Sequence, residues 1–163
     1  MAGYDRLTPE GEKFYAQIEE LKKLEVRVGF QSDGTMAAMR DKDGNVTESK
    51  DVTMLDIAMW NELGTENAPA RPFLRQTADN NKSKIITFCV AQANKIAQGG
   101  TAESCLKNIG VFAKGLVQQQ IVDGDFEPNA PSTIRKKGSD KPLIDTGRLR
   151  QSVNYVIKQK GGG

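Results

Sequence analysis

The sequence predicts an α+β chain: a small antiparallel sheet packed against two long antiparallel helices, with an N-terminal helix and an extended arm. Three observations carry this. Residues 24–31 and 149–157 alternate apolar and polar positions, the period of a half-buried strand. Residues 54–63, 73–98 and 101–121 repeat apolar residues every third or fourth position, the period of an amphipathic helix. Residues 32–52 follow neither period and are rich in turn residues.

In chain order, Thr8-Pro9-Glu10-Gly11-Glu12 opens the first helix. Thr8 caps it, Pro9 suits its first turn, and Glu10 and Glu12 favour the positive end of its dipole. Phe14, Ile18 and Leu21 give it one apolar stripe, and Lys22 and Lys23 suit its C-terminal end. The first strand follows, with Leu24, Val26, Val28 and Phe30 on one face and Gly29 marking a bulge or a close backbone approach. The 32–52 segment, with turn signals at Asp33-Gly34 and Asp43-Gly44-Asn45, reads as a hairpin arm or a long loop.

Met54, Ile57, Ala58 and Leu63 then recur at helical spacing, and Gly64 stops that helix. Pro69 and Pro72 stiffen the backbone before Phe73 and Leu74. From there the apolar pattern predicts a single helix of about 25 residues, ended by Gly99-Gly100. Thr101 caps the next helix, whose stripe is Leu106, Ile109, Phe112 or Ala113, Leu116, Val117 and Ile121. Gly110 and Gly115 each cost that helix about 1 kcal/mol relative to alanine, which points to another backbone coming close. A loop at 123–131, a short turn capped by Ser132, and a second stiff corner at Pro142–Gly147 lead to the last strand, with Val153, Tyr155 and Ile157 on one face. The 163 residues read most simply as one domain (1–163), with the 32–52 arm and a flexible C-terminal end at 159–163.

Composition excludes much chemistry. The chain has no histidine, so the commonest general base, the commonest metal ligand and any Ser–His or Cys–His pair are missing. Cys89 and Cys105 match no zinc or redox spacing and read as a reduced interior pair. Asp41, Asp43 and Asn45 invite a calcium-loop reading, but the glycine arrives too early and no glutamate closes the loop. Glu19 and Glu20 point apart on a solvated helix face, Gly99-Gly100 lacks phosphate-loop spacing, and Ser32, Ser104 and Ser152 have no activating base. The expectation is a protein that is not an enzyme, with no cofactor and no metal. A net charge of +2 favours neither nucleic acid nor an acidic tail. No apolar run reaches a membrane span, and the N-terminus does not read as a signal peptide, so a soluble, cytosolically made chain is expected.

Two stretches remain. The corner from Trp60 to Arg75 can serve as a buried packing anchor or as a contact surface. Arg135-Lys136-Lys137, with Lys141, Arg148 and Arg150, is the densest basic region. It reads as a solvated loop or as a patch facing phosphates.

Several spaced motifs coincide with one family. Ala58-Met59-Trp60-Asn61-Glu62-Leu63-Gly64-Thr65 and Pro69-Ala70-Arg71-Pro72-Phe73-Leu74-Arg75 resemble the A-x-x-N-E-F-G-T and I-P-A-R-P-F-L-R signatures of tailed-bacteriophage neck and minor tail proteins, the tail-completion or head–tail joining family. Leu63 departs from the usual aromatic. Asn108-Ile109-Gly110, Pro131–Gly138 and Pro142–Val153 resemble further pieces of the pattern, so the likeness runs from about Val26 to Ile157. It does not cover the 32–52 arm.

The resemblance implies a small α+β subunit that forms a ring, often hexameric, at the head-proximal end of the tail. Such a ring meets the tail terminator or tail tube protein on one side and the head connector or stopper on the other, with genomic DNA passing through the lumen. The expected location is the virion neck, assembled in the host cytoplasm. On this reading Arg71, Pro72, Phe73, Leu74, Leu143, Ile144, Thr146, Gly147 and Leu149 contact neighbouring subunits or partners. Arg135, Lys136 and Lys137 are the candidates for facing DNA in the lumen. The alternative function is a DNA-binding module using the 135–150 basic segment.

Overall fold

The computed structural model describes residues 6–126 and 147–161. Their elements run in the order α1 (Pro9–Lys23), β1 (Leu24–Gly29), β2 (Met36–Arg40), β3 (Val46–Thr53), α2 (Met54–Leu63), α3 (Phe73–Asn80), α4 (Lys82–Ala97), α5 (Ala102–Asp123), α6 (Arg148–Ser152) and β4 (Asn154–Gln159). The chain is α+β, as its periodicities predict. It divides into two compact units, one of Met1–Val28, Lys82–Ala113 and Tyr155–Gly163, the other of Gly29–Asn81 and Lys114–Asn154.

In the first unit, the Thr8 hydroxyl accepts the Gly11 N–H at 3.1 Å and so caps α1. β1 pairs with β4. The Lys160 N–H donates to the Lys23 carbonyl at 2.8 Å, which sets the end of β4 beside the start of β1 and makes the pair antiparallel. α4 and the first half of α5 form the expected antiparallel hairpin. Phe88 stacks on Phe112 with ring centroids 4.1 Å apart, and one turn further on the Asn108 amide donates to Gln92 at 2.9 Å. Gly99, at φ 101°, turns the chain, and the Thr101 hydroxyl accepts the Ser104 N–H to start α5. Ile96, Ala102, Cys105 and Leu106 are buried here, while α1 buries no residue fully.

In the second unit, β2 and β3 form an antiparallel hairpin, with a register shift between Met36 and Ala38. The extra residues lie on β3, where residues 49–52 stand opposite Ala37 alone, and Ala37 is buried. The 32–52 arm is therefore a hairpin, and its base packs on α2. The core comprises Met54, Ala58, Phe73, Thr77, Val117, Ile121, Leu149 and Val153.

The strands make two two-stranded sheets, β1 with β4 and β2 with β3, which are the expected small sheet and the hairpin arm. Three expectations are corrected. The predicted 73–98 helix breaks at Asn81. There the backbone N–H and the side-chain amide both donate to the Thr77 carbonyl, at 3.2 and 2.9 Å, so the side chain duplicates a backbone bond and ends α3. Residues 148–152 are a helical turn, not the start of a strand. Gly147 sets it off at φ 70°, and Leu149 and Val153, four apart, are buried together. Finally, among the described residues, neither helix glycine receives a neighbouring backbone. A Cβ on Gly110 would lie 2.5 Å from the Tyr155 ring, so an aromatic side chain occupies that space, while Gly115 has nothing within 4 Å. Within the expected flexible end, Gln159 is the last residue of β4.

Candidate functional site

The Trp60–Arg75 corner is a hydrogen-bonded unit built from its own motif residues. α2 begins with a capping box. The Thr53 hydroxyl accepts the Asp56 N–H at 3.2 Å, and the Asp56 carboxylate accepts the Thr53 N–H at 2.9 Å. The bond from the Thr53 backbone holds the Asp56 carboxyl below its ordinary value. α2 ends at Gly64, φ 77° and ψ 170°, where a Cβ would stand 2.8 Å from the Ala70 nitrogen. Both the dihedral and the space demand glycine.

Beyond it, Thr65 and Ala68 exchange backbone bonds at 2.9 and 3.3 Å, turning the chain back along α2. The Asn61 amide donates to the Ile57 carbonyl at 2.8 Å, and the Asn61 carbonyl accepts the Arg71 N–H at 2.5 Å. Pro72, at the head of α3, has no capping side chain. Glu62 supplies the cap from α2 instead. Its two carboxylate oxygens accept the Leu74 and Arg75 N–H groups at 2.9 and 3.0 Å. A negative charge thus meets two orphan donors at the positive end of a helix. The sequence reading missed this role. Its signal was available: α3 starts without a Ser, Thr, Asp or Asn cap and without an acid in its first turn.

Among the proposed contact residues, Phe73 is fully buried within its own unit. Its ring meets Phe30 edge-on, with centroids 5.8 Å apart at 88°. Leu149 is buried as well. Arg71, Pro72 and Leu74 are half-buried, and Leu74 lies within 4.0 Å of the position a Gly29 Cβ would take. Gly147 contributes its left-handed backbone, not a crowded approach. Leu143, Ile144, Thr146, Arg135, Lys136 and Lys137 lie outside the described residues. Of the basic region, Arg148 turns inward, donating to the Met36 carbonyl at 3.4 Å and pairing with Glu48 at 3.2 Å. It clamps the base of the hairpin arm to α6, while Arg150 is exposed.

The surface that the corner does present was missed. Met59, Trp60 and Leu63 are 50%, 47% and 72% exposed. Met54 and Ala58 occupy the buried side of the same helix, so α2 is apolar around most of its circumference. Such a helix is ordinarily enclosed on all sides.

Cys105 is buried, and burial, followed by nearness to Cys89, pushes its thiol up, which opposes thiolate chemistry. At the hairpin tip the Asp41 carboxylate accepts the Asp43 and Asn45 N–H groups, both at 2.9 Å, as an ordinary turn. Among the described residues no group of three or more His, Cys, Asp or Glu is placed to hold a metal ion, and no helix is long and apolar enough to cross a membrane. No family model matches the chain, and neither a curated protein nor a solved structure is similar enough to it to count as a match.

Proposed function

We propose that the chain is a structural subunit of the tailed-phage neck, a tail-completion or head–tail joining protein that works as a ring between connector and tail. The observation that carries this reading is the fit between motif and fold at the corner. Asn61, Glu62, Gly64, Arg71 and Phe73, the positions through which the sequence resembles that family, each have a defined place in one hydrogen-bonded corner. That corner holds a bulky apolar patch to the outside. An adaptor needs such a surface on a stiff support and no activated group. Particles produced without the protein are expected to leave filled heads and finished tails unjoined in electron micrographs. Normal infectious yield without it would overturn the proposal.

The DNA-binding alternative gains nothing from Arg148, whose guanidinium is engaged with Glu48 and Met36. A gel-shift at low salt tests it directly, since phosphate contacts weaken steeply as salt rises.

A further inference from the structure

The hairpin arm is two pieces joined by its bulge. At the base Met36 stands opposite Thr53, and the Met54 N–H donates to the Thr35 carbonyl at 2.8 Å. Beyond the bulge Ala38, Met39 and Arg40 stand opposite Glu48, Thr47 and Val46. Residues 49–52 form the joint. The Ser49 hydroxyl accepts the Asp51 and Val52 N–H groups at 3.3 and 3.0 Å, so two donors that a regular ladder could use turn back onto the joint itself. Residues 41–48 are all exposed, so burial does not hold the outer piece against the second unit. Arg148 crosses the joint. Its Nη1 donates to the Met36 carbonyl at 3.4 Å on the base side and to the Glu48 carboxylate at 3.2 Å on the outer side. Its own backbone is fixed, because Gly147 sets off α6 and Leu149 and Val153 bury that turn in the core.

We infer that Arg148 is an ionic latch that sets the angle of the arm, and that residues 38–48 pivot as one body about 49–52 when the latch opens. The chemistry favours a device that opens over a permanent brace. Both bonds are longer than the roughly 2.7–2.9 Å of a strong charged hydrogen bond. The Arg148 and Glu48 side chains are 33% and 66% exposed, so water and salt compete for both ends. An exposed ion pair shifts an equilibrium by up to about fivefold, and the carbonyl acceptor brings the total to roughly tenfold. Any anion that reaches Arg148 competes with Glu48 and frees the arm. The outer piece keeps its own turn when it moves, because the Asp41 N–H donates to the Asn45 carbonyl at 2.9 Å and the Asp41 carboxylate accepts the Asp43 and Asn45 N–H groups. The latch lies within the second unit and holds whatever the chain assembles with, so it does not depend on the neck reading.

The test is solution NMR on the purified, isotope-labelled full chain, aligned in a neutral stretched gel. Residual dipolar couplings of the 38–48 amides report the direction of the outer piece relative to α2. At low salt the wild type is expected to fit one orientation. At about 1 M salt, where charges are screened within about 3 Å, the outer couplings should average toward zero while those of α2 keep their size. Arg148→Gln should show the averaged couplings already at low salt, with the open share raised roughly tenfold. Glu48→Gln keeps the bond to Met36, so its open share should rise by up to about fivefold and no longer respond to salt. Glu48 is exposed, so this variant and the salt series decide the matter even if Arg148→Gln does not fold. In every case the chemical shifts of 38–40 and 46–48 stay strand-like. Three results would overturn the inference: outer couplings averaged in the wild type at low salt, couplings that stay fixed in high salt or in a folded variant, or strand-like shifts lost together with the orientation.

Discussion

Replacing Phe73 with alanine separates the two roles that the sequence allows this residue. The side chain is 0% exposed and packs edge-on against Phe30. Removing a buried phenylalanine ring costs about 3–5 kcal/mol, from lost transfer energy and the cavity left behind. Part of that figure is the aromatic pair itself, about 0.5–1.5 kcal/mol. Phe30→Leu, which keeps an apolar group and forfeits the ring contact, should therefore cost only about 1 kcal/mol. Domains are held by about 5–15 kcal/mol, so Phe73→Ala leaves the second unit close to unfolding. Trp60 is the only tryptophan and sits in the same unit, so urea denaturation followed by its fluorescence reads the right region. The expected result is a midpoint far below that of the wild type at similar slope. A loss under about 1 kcal/mol, with self-association abolished, would refute the packing argument and return Phe73 to the contact surface.

Four further outcomes follow from the same geometry. Glu62→Gln should cost about 1–2 kcal/mol by urea denaturation, because one of the two N–H donors of α3 then faces an amide that cannot accept; an unchanged midpoint would remove Glu62 as the cap. Gly64→Ala combines a dihedral that alanine rarely adopts with a 2.8 Å approach to the Ala70 nitrogen. It should cost more than about 2 kcal/mol, and a neutral result would contradict the corner as described. The two helix glycines should answer in opposite directions: Gly110→Ala pushes the Tyr155 ring aside and lowers the melting temperature, while Gly115→Ala gains about 0.5–1 kcal/mol of helix propensity. Asp56 is held below its ordinary value of 3.8, so the unfolded chain takes up the proton first. The stability this group gives above that value is lost as pH falls through the lower folded one. A denaturation series in acid should show a shallower acid limb for Asp56→Asn; Asp33 and Asp41 are shifted the same way, so some slope remains.

What was legible in the sequence depended on whether the deciding interaction was local. Thr8, Thr101 and the Gly64 stop act within one turn of themselves, and all three stand where periodicity and capping rules put them. The α4–α5 hairpin was legible because its turn glycines and cap lie side by side. The break at Asn81 was missed because the apolar spacing continues across it, while the interruption comes from an amide reaching back to Thr77. The final strand was misplaced by five residues for a related reason. Leu149, Val153, Tyr155 and Ile157 satisfy a two-residue period, but Leu149 and Val153 also satisfy a helical one, and the left-handed Gly147 decides between them. The reach of Glu62 across the turn to α3 and the pairing of Arg148 with Glu48, 100 residues away, belong to the folded chain and have no signature in spacing.

The site was half legible for a reason that bears on how such a corner works. Sequence reading singled out Arg71, Phe73 and Leu149 because they are distinctive in type and position, and the fold places Phe73 and Leu149 in its interior. In the motif Asn61-Glu62-Leu63-Gly64-Thr65, Asn61, Glu62 and Gly64 are occupied with bonds and dihedrals that hold α2 against α3. What projects outward is Met59 and Trp60, at positions the resembled pattern leaves open, and Leu63, where this chain departs from it. A framework of this kind fixes the support and leaves the contact side chains unconstrained by folding. On the proposed adaptor reading, substitutions at Met59, Trp60 or Leu63 alter which surface the corner accepts at little cost to the fold, whereas substitutions at Glu62, Gly64 or Phe73 damage the support itself. Contact and stability are then separable on this helix because they fall on different faces of it.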